Sequence, residues 1–259
     1  MGIGAVLAVS CFIFTGGLLV ALVAVVGADY RIDDVGDSFA KLGSVARYAD
    51  ERLVAASTNR PLPEPPVILA DVTAVRMGLG TTLFYEALLV TVVGGTTQQT
   101  FRGLVSAVGL DRFNVGGLWV PALCVIGAYI GVGLYVLVVK GLGLGWLEPT
   151  STVPGAIVRD NFSLAIGWVV AVIAAPISEE LFFRGFTFGG LLRWGYWPAA
   201  AVSALGFSLA HFDPGSVIPF FCIGLVMAWL YWRRGSLWDS ITFHCLFNFI
   251  SFALLMASR

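Results

Sequence analysis

Charge is what this sequence has least of. Asp, Glu, Lys and Arg make up 12% of the 259 residues, and 15 basic side chains nearly cancel 16 acidic ones. Soluble domains are about a quarter charged and need that charge to stay dispersed, so a soluble particle is excluded. A net charge of −1 argues against a general electrostatic role on nucleic acid or anionic lipid. There are four cysteines (Cys11, Cys124, Cys222 and Cys245), and none falls in a Cys-x-x-Cys pair. Each lies in an apolar block and reads as a small buried hydrophobe, so no redox compartment follows. No lysine or arginine precedes the first apolar block, which therefore reads as a retained span rather than a signal peptide.

What the chain has is apolar length. Hydrophobic residues form 58% of it, with a mean hydropathy of +0.88. They gather into blocks of about twenty, the length that crosses a bilayer as helix. Lipid supplies no partner for backbone amides, so a spanning segment is a helix or part of a closed barrel. Barrel strands alternate in short segments, whereas these blocks are continuous. The expectation is an all-α, polytopic transmembrane helical bundle of about seven spans, six to eight. They fall near 1–27, 79–96, 115–140, 162–183, 196–212, 216–232 and 237–257.

Residues 28–78 are different, with more than a dozen charges of both signs and the run Pro61-Leu62-Pro63-Glu64-Pro65-Pro66. Phe39, Leu42, Val45, Ala46, Leu53 and Val54 recur at helical spacing there, predicting a short amphipathic surface helix. A second interfacial helix is expected within 97–114. The chain divides into N-terminal spans with that polar segment (1–150) and a core of four closely packed spans (155–257). Arg193 and Arg233-Arg234 lie in short loops and favour the cytoplasm for their side. Trp194, Trp197, Trp229, Trp232 and Trp238 cluster at span ends as interfacial anchors.

Ionisable groups inside a span are costly, and they mark either a function or a paired structural role. The last four spans hold Glu179, Glu180, Arg184, His211 and His244, which include both histidines of the protein, with Asn248 beside the last. Glu180 and Arg184 are four apart and share a helix face, where a charge-assisted pair reduces the cost of burying both. Glu179 lies about 100° around the helix and points elsewhere. Phe207 and His211 share a face, as do His244 and Asn248. A buried carboxylate beside an imidazole can take a proton from water. An imidazole and a carboxamide can then donate to the oxyanion that forms. Ser178 and Ser208 are close in sequence, but neither sits in a Gly-x-Ser-x-Gly turn. Glu86, in the second span, either faces a water-filled cavity or pairs with Arg76, and receives no role.

These residues fall into three motifs in order. They are Glu179-Glu180-Leu-Phe-Phe-Arg184, Phe207-Ser-Leu-Ala-His211 and His244-Cys-Leu-Phe-Asn248, on successive apolar helices. Over about 155–257 the chain thereby resembles the CAAX protease and bacteriocin-processing family of intramembrane endopeptidases. The resemblance implies a glutamate-type hydrolase in which Glu179 and His211 activate water, and His244 and Asn248 form the oxyanion hole. It implies that Glu180 and Arg184 support the site. Phe207, one turn before His211, could brace its imidazole.

The resemblance further implies metal-independent chemistry without a cofactor. Zinc is a minor alternative, since no His-Glu-x-x-His spacing is present. The implied partners are a peptide or protein substrate, lipidated or membrane-bound, and the bilayer itself, with no nucleic acid. Compactness and the lack of long tails point to a prokaryotic cell membrane, and the loop arginines put the site of this multi-pass protein toward the cytoplasm. A proton-coupled transporter and a non-catalytic, immunity-type protein of the same fold are the competing readings.

Overall fold

In the computed structural model the described residues are 72–97, 100–149, 157, 160–211 and 213–257, with scattered positions between 47 and 63. The expected first span, 1–27, lies outside them, as do Cys11 and the first half of the amphipathic helix. Of that helix, Arg47, Tyr48, Asp50, Glu51, Val54, Ala55 and Ser57 are described, and all are helical.

From Val72 onward seven helices carry the architecture, with no strand among the described residues. They are α1 (Val72–Thr97), α2 (Phe101–Ala107), α3 (Trp119–Gly141), α4 (Asn161–Trp194), α5 (Tyr196–Leu209), α6 (Val217–Arg234) and α7 (Leu237–Ala257). Five segments are long and apolar enough to cross a membrane: Gly78–Gly95, Val115–Gly141, Asn161–Trp194, Pro214–Arg234 and Leu237–Ala257. The chain is an integral, multi-pass helical protein. On α3, Leu123, Ile126, Ile130, Leu134 and Leu137 are exposed, an apolar face that suits lipid.

Two expected spans have different lengths. The span expected at 162–183 continues to Trp194, because Arg184 is buried against Glu180 and does not end the helix. The span expected at 196–212 is helical over 14 residues. At 1.5 Å per residue that is about 21 Å, short of the roughly 30 Å hydrocarbon core. It ends at the turn before Asp213-Pro214, so His211 stands just past its last turn.

α4 is not uniform. Val170–Ala174 and Leu181–Phe188 are π-helical, and they flank the α-helical turn Ala175–Glu180. Pro176 has no amide hydrogen to continue the ladder, and the wider turn just before it absorbs that break. Asp160 caps the start of α4, accepting from the amides of Phe162 and Ser163 at 3.0 Å each. It also pairs with Arg76 of α1 at 2.9 Å. The Asp160 carboxyl, outside the spans, is held well below the usual carboxylate range by the bonds from Ser163 and then by Arg76.

Packing brings the C-terminal helices close. α5 lies along α6, where a Cβ on Gly224 would meet Ala204 at 2.8 Å, so a glycine permits that approach. Gly235 ends α6 in the left-handed region at φ 64°, and its amide donates to the Tyr231 carbonyl. The 101–114 segment forms α2 and then docks on this turn. Leu237 N donates to Val108 O at 3.1 Å and Trp238 Nε1 to Leu110 O at 2.7 Å. Trp238 is therefore held by a hydrogen bond to protein, whereas Trp194, Trp197, Trp229 and Trp232 are more exposed. The cysteines also differ from expectation: Cys222 is exposed, and Cys124 and Cys245 are half-buried free thiols. An exposed apolar thiol is at no disadvantage on a lipid-facing helix.

Candidate active site

Glu180 and Arg184 lie at the centre of the bundle with fully buried side chains. Arg184 Nη1 donates to Glu180 Oε1 at 2.7 Å, the i,i+4 pair that the sequence spacing allows. Arg184 Nη2 reaches the Gly224 carbonyl on α6 at 3.3 Å, and its guanidinium lies 4.5 Å from the Phe207 ring centroid. Desolvating two charges is tolerable only when the pair is well formed and further groups meet it. Here an ion pair, a carbonyl and an aromatic face all meet one guanidinium, with Nε left unpartnered.

Glu180 has a second partner. His244 Nδ1, on α7, lies 3.1 Å from the same Oε1. A carboxylate can only accept, so Nδ1 carries the hydrogen and the ring orientation is fixed. The opposite nitrogen, Nε2, then faces Glu179 Oε2 at 3.9 Å. Glu179 keeps about a fifth of its side chain exposed, at 21%, yet its Oε2 is closed off with no hydrogen-bond donor. That separates the two glutamates by environment. Glu180 is held through Oε1 by two donors with its Oε2 unpartnered, whereas Glu179 Oε2 has no donor and faces the His244 ring.

His211 comes from the end of α5. Its Nδ1 lies 2.9 Å from the Phe207 carbonyl, which can only accept, so this nitrogen too carries hydrogen. In the neutral ring Nε2 is then the free lone pair. Phe207 is the spacer between the two imidazoles, with centroids 4.9 Å from His211 and 5.5 Å from His244, both edge to face. Phe220 of α6 closes the other side of His211 at 4.4 Å. His211 is near enough to His244 and Arg184 for their charges to act on it.

Asn248 is one turn beyond His244. Its Nδ2 donates to Ala171 O at 2.7 Å, a carbonyl in the first π-helical turn of α4. The amide retains a second hydrogen. The Phe247 carbonyl beside it accepts from Tyr129 of α3 at 2.8 Å, and the Tyr129 and Phe247 rings stack at 4.7 Å. Among the described residues no group of three or more His, Cys, Asp or Glu side chains is placed to hold a metal ion.

One neighbour of the site is brought there by packing alone. Glu86 of α1 is buried, and its Oε2 is hydrogen-bonded to Ser178 Oγ, the residue before Glu179. Arg76, its partner by sequence proximity, is instead bound to Asp160. No spacing along the chain connects positions 86 and 178, since the contact arises only from packing α1 on α4.

Comparisons with known proteins fall on this same region. Residues 161–250 match the family model for type II CAAX prenyl endopeptidases, Rce1-like. The "Putative membrane peptidase YdiL" of Bacillus subtilis (strain 168) is 30% identical over 89 residues, 34% of this chain and 36% of that protein. The chain thus matches about a third of the length of that curated relative. No solved structure matches the chain at a significant level. The segment matched by the family model runs from the first residue of α4 to two residues past Asn248, and so contains all three motifs. Through these C-terminal helices the chain is similar to the CAAX prenyl endopeptidase family.

Proposed function

We propose that the protein is an intramembrane endopeptidase that hydrolyses a peptide bond with water activated by Glu179 and His211. The observation that carries this reading is the unequal treatment of the two adjacent glutamates. Both Oε2 atoms lack a donor, but Glu180 is fully buried and held through Oε1 by Arg184 and His244, whereas Glu179 keeps some exposure and has no such clamp. A general base needs that freedom.

In this reading Glu179 takes a proton from water, with His211 Nε2 accepting a hydrogen bond from the same molecule. The water oxygen bonds to the substrate carbonyl carbon, and the carbonyl oxygen gains the negative charge. His244 Nε2–H and the second Asn248 amide hydrogen donate to that oxyanion. Because His244 Nδ1–H is engaged by Glu180, donation from Nε2 requires the doubly protonated ring, which Glu179 and Glu180 flank. The C–N bond then breaks, and the proton held by Glu179 passes to the departing amine. No step uses a metal or cofactor, so activity is expected to survive dialysis against a chelator. A chelator-sensitive activity restored by zinc would contradict that.

The substrate in this proposal is a peptide or protein held in or at the bilayer, and a lipidated one would enter from the membrane. The setting is a prokaryotic cell membrane with the site toward the cytoplasm, the side favoured by Arg193, Arg233 and Arg234. The test compares membrane peptides from cells carrying wild type and Glu179→Gln. Fragments present only with wild type support the reading, and identical peptide sets overturn it.

A further inference from the structure

We propose that Glu86 holds a proton beside the site, so that Glu179 is the ionised carboxylate of the two. The inference rests on the endopeptidase reading for its consequence, but its geometry stands apart. Glu86 lies on α1, outside the segment that matches the family.

Hydrogen counting comes first. Ser178 Oγ lies 2.8 Å from Ala174 O and 3.1 Å from Ala175 O, and it also contacts Glu86 Oε2. A hydroxyl has one hydrogen, and carbonyls only accept. If Ser178 donates to Ala174 O, the bond to Glu86 needs a hydrogen from the glutamic acid. A protonated Glu86 then donates to Ser178 Oγ, and both bonds are made with two hydrogens.

Charge counting agrees. Among the described residues Ser178 on α4 is bonded to Glu86, Tyr85 beside it on α1 and Glu179 on α4 are within electrostatic reach, and Thr82 lies one turn before it, with its hydroxyl on the Gly78 carbonyl. Glu86 and Glu179 are close enough to act on each other electrostatically, and Tyr85 feels both. Arg184 is bonded to Glu180, and the His244 ring lies between Glu180 and Glu179, so both side chains are already engaged by those two carboxylates. Among the described residues no cation pairs with Glu86, and a buried unpaired charge is strongly disfavoured. Glu86 is therefore a positioning residue: it touches no substrate, and its neutrality leaves Glu179 free to accept a proton.

Infrared spectroscopy of the purified protein in lipid nanodiscs at neutral pH tests this without any substrate. The readout is the deuterium-sensitive carbonyl stretch of a protonated carboxyl. The expected result is a band present in wild type and Glu179→Gln and lost in Glu86→Gln. A band absent from wild type, lost in Glu179→Gln, or unchanged in Glu86→Gln overturns the proposal. Kinetics add a second readout once a substrate is known. Glu86→Ala should lower kcat about tenfold or more with KM little changed, and Glu86→Gln should restore most of it. Equal loss in both variants would overturn the neutral role. Failure of the endopeptidase reading would appear as no cleavage by wild type, with the infrared result still standing.

Discussion

Replacing Arg184 with methionine removes the guanidinium bound to Glu180 while filling much of the same volume. The Glu180 carboxylate keeps the His244 Nδ1–H at 3.1 Å but loses the guanidinium at 2.7 Å. Removing one partner of a buried pair costs about 3–5 kcal/mol, because the other charge stays buried. Replacing both partners with apolar side chains is often near neutral. The double variant Arg184→Met/Glu180→Leu also leaves His244 Nδ1–H without its acceptor, at about 1–3 kcal/mol. It should therefore be more stable than the single variant, yet proteolytically inactive, since nothing fixes the His244 ring. The assay is equilibrium unfolding in mixed micelles by titration with dodecyl sulfate, followed by tryptophan fluorescence, beside a cleavage assay. A single variant costing less than about 1 kcal/mol would refute the reasoning from a buried pair. So would a double variant less stable than the single one.

Two further outcomes follow from the same geometry. Asn248→Ala and Asn248→Asp both remove the donor to Ala171 O, and each should lower kcat by about 10²–10³ with little change in KM; a KM effect alone would assign Asn248 to binding. Asp160→Asn should raise amide exchange at Phe162 and Ser163 and loosen α1 from α4. Because the Asp160 carboxyl is held below the usual range, its contribution is present above about pH 4 and is lost only as pH falls toward its lower folded value. Protection of these amides should thus be the same at pH 7 and pH 5, and a loss between them would contradict the assignment.

The sequence shows the helical, membrane-spanning class because charge is scarce and apolar blocks are long, and both properties are local. Helix-face spacing likewise places Glu180 with Arg184. It could not show that His244 binds Glu180 rather than acting alone, since positions 180 and 244 meet only when α7 packs on α4. The length of α4 is less legible: spacing pairs Arg184 with Glu180, but only packing shows that the pair is fully buried and that the helix runs on to Trp194. The π-helical turns around Pro176 depend on how α4 is held by its neighbours. Glu86 and Ser178, 92 positions apart, leave no periodic trace at all.

The central claim is that Glu179 is the base. Its most direct test is single-turnover cleavage by purified wild type and Glu179→Gln, with the unfolding midpoint of each measured in the same micelles. The account requires a loss of about 10²–10⁴ in rate, the range for general-base catalysis, with the midpoint essentially unchanged. Cleavage by Glu179→Gln at the wild-type rate would contradict it.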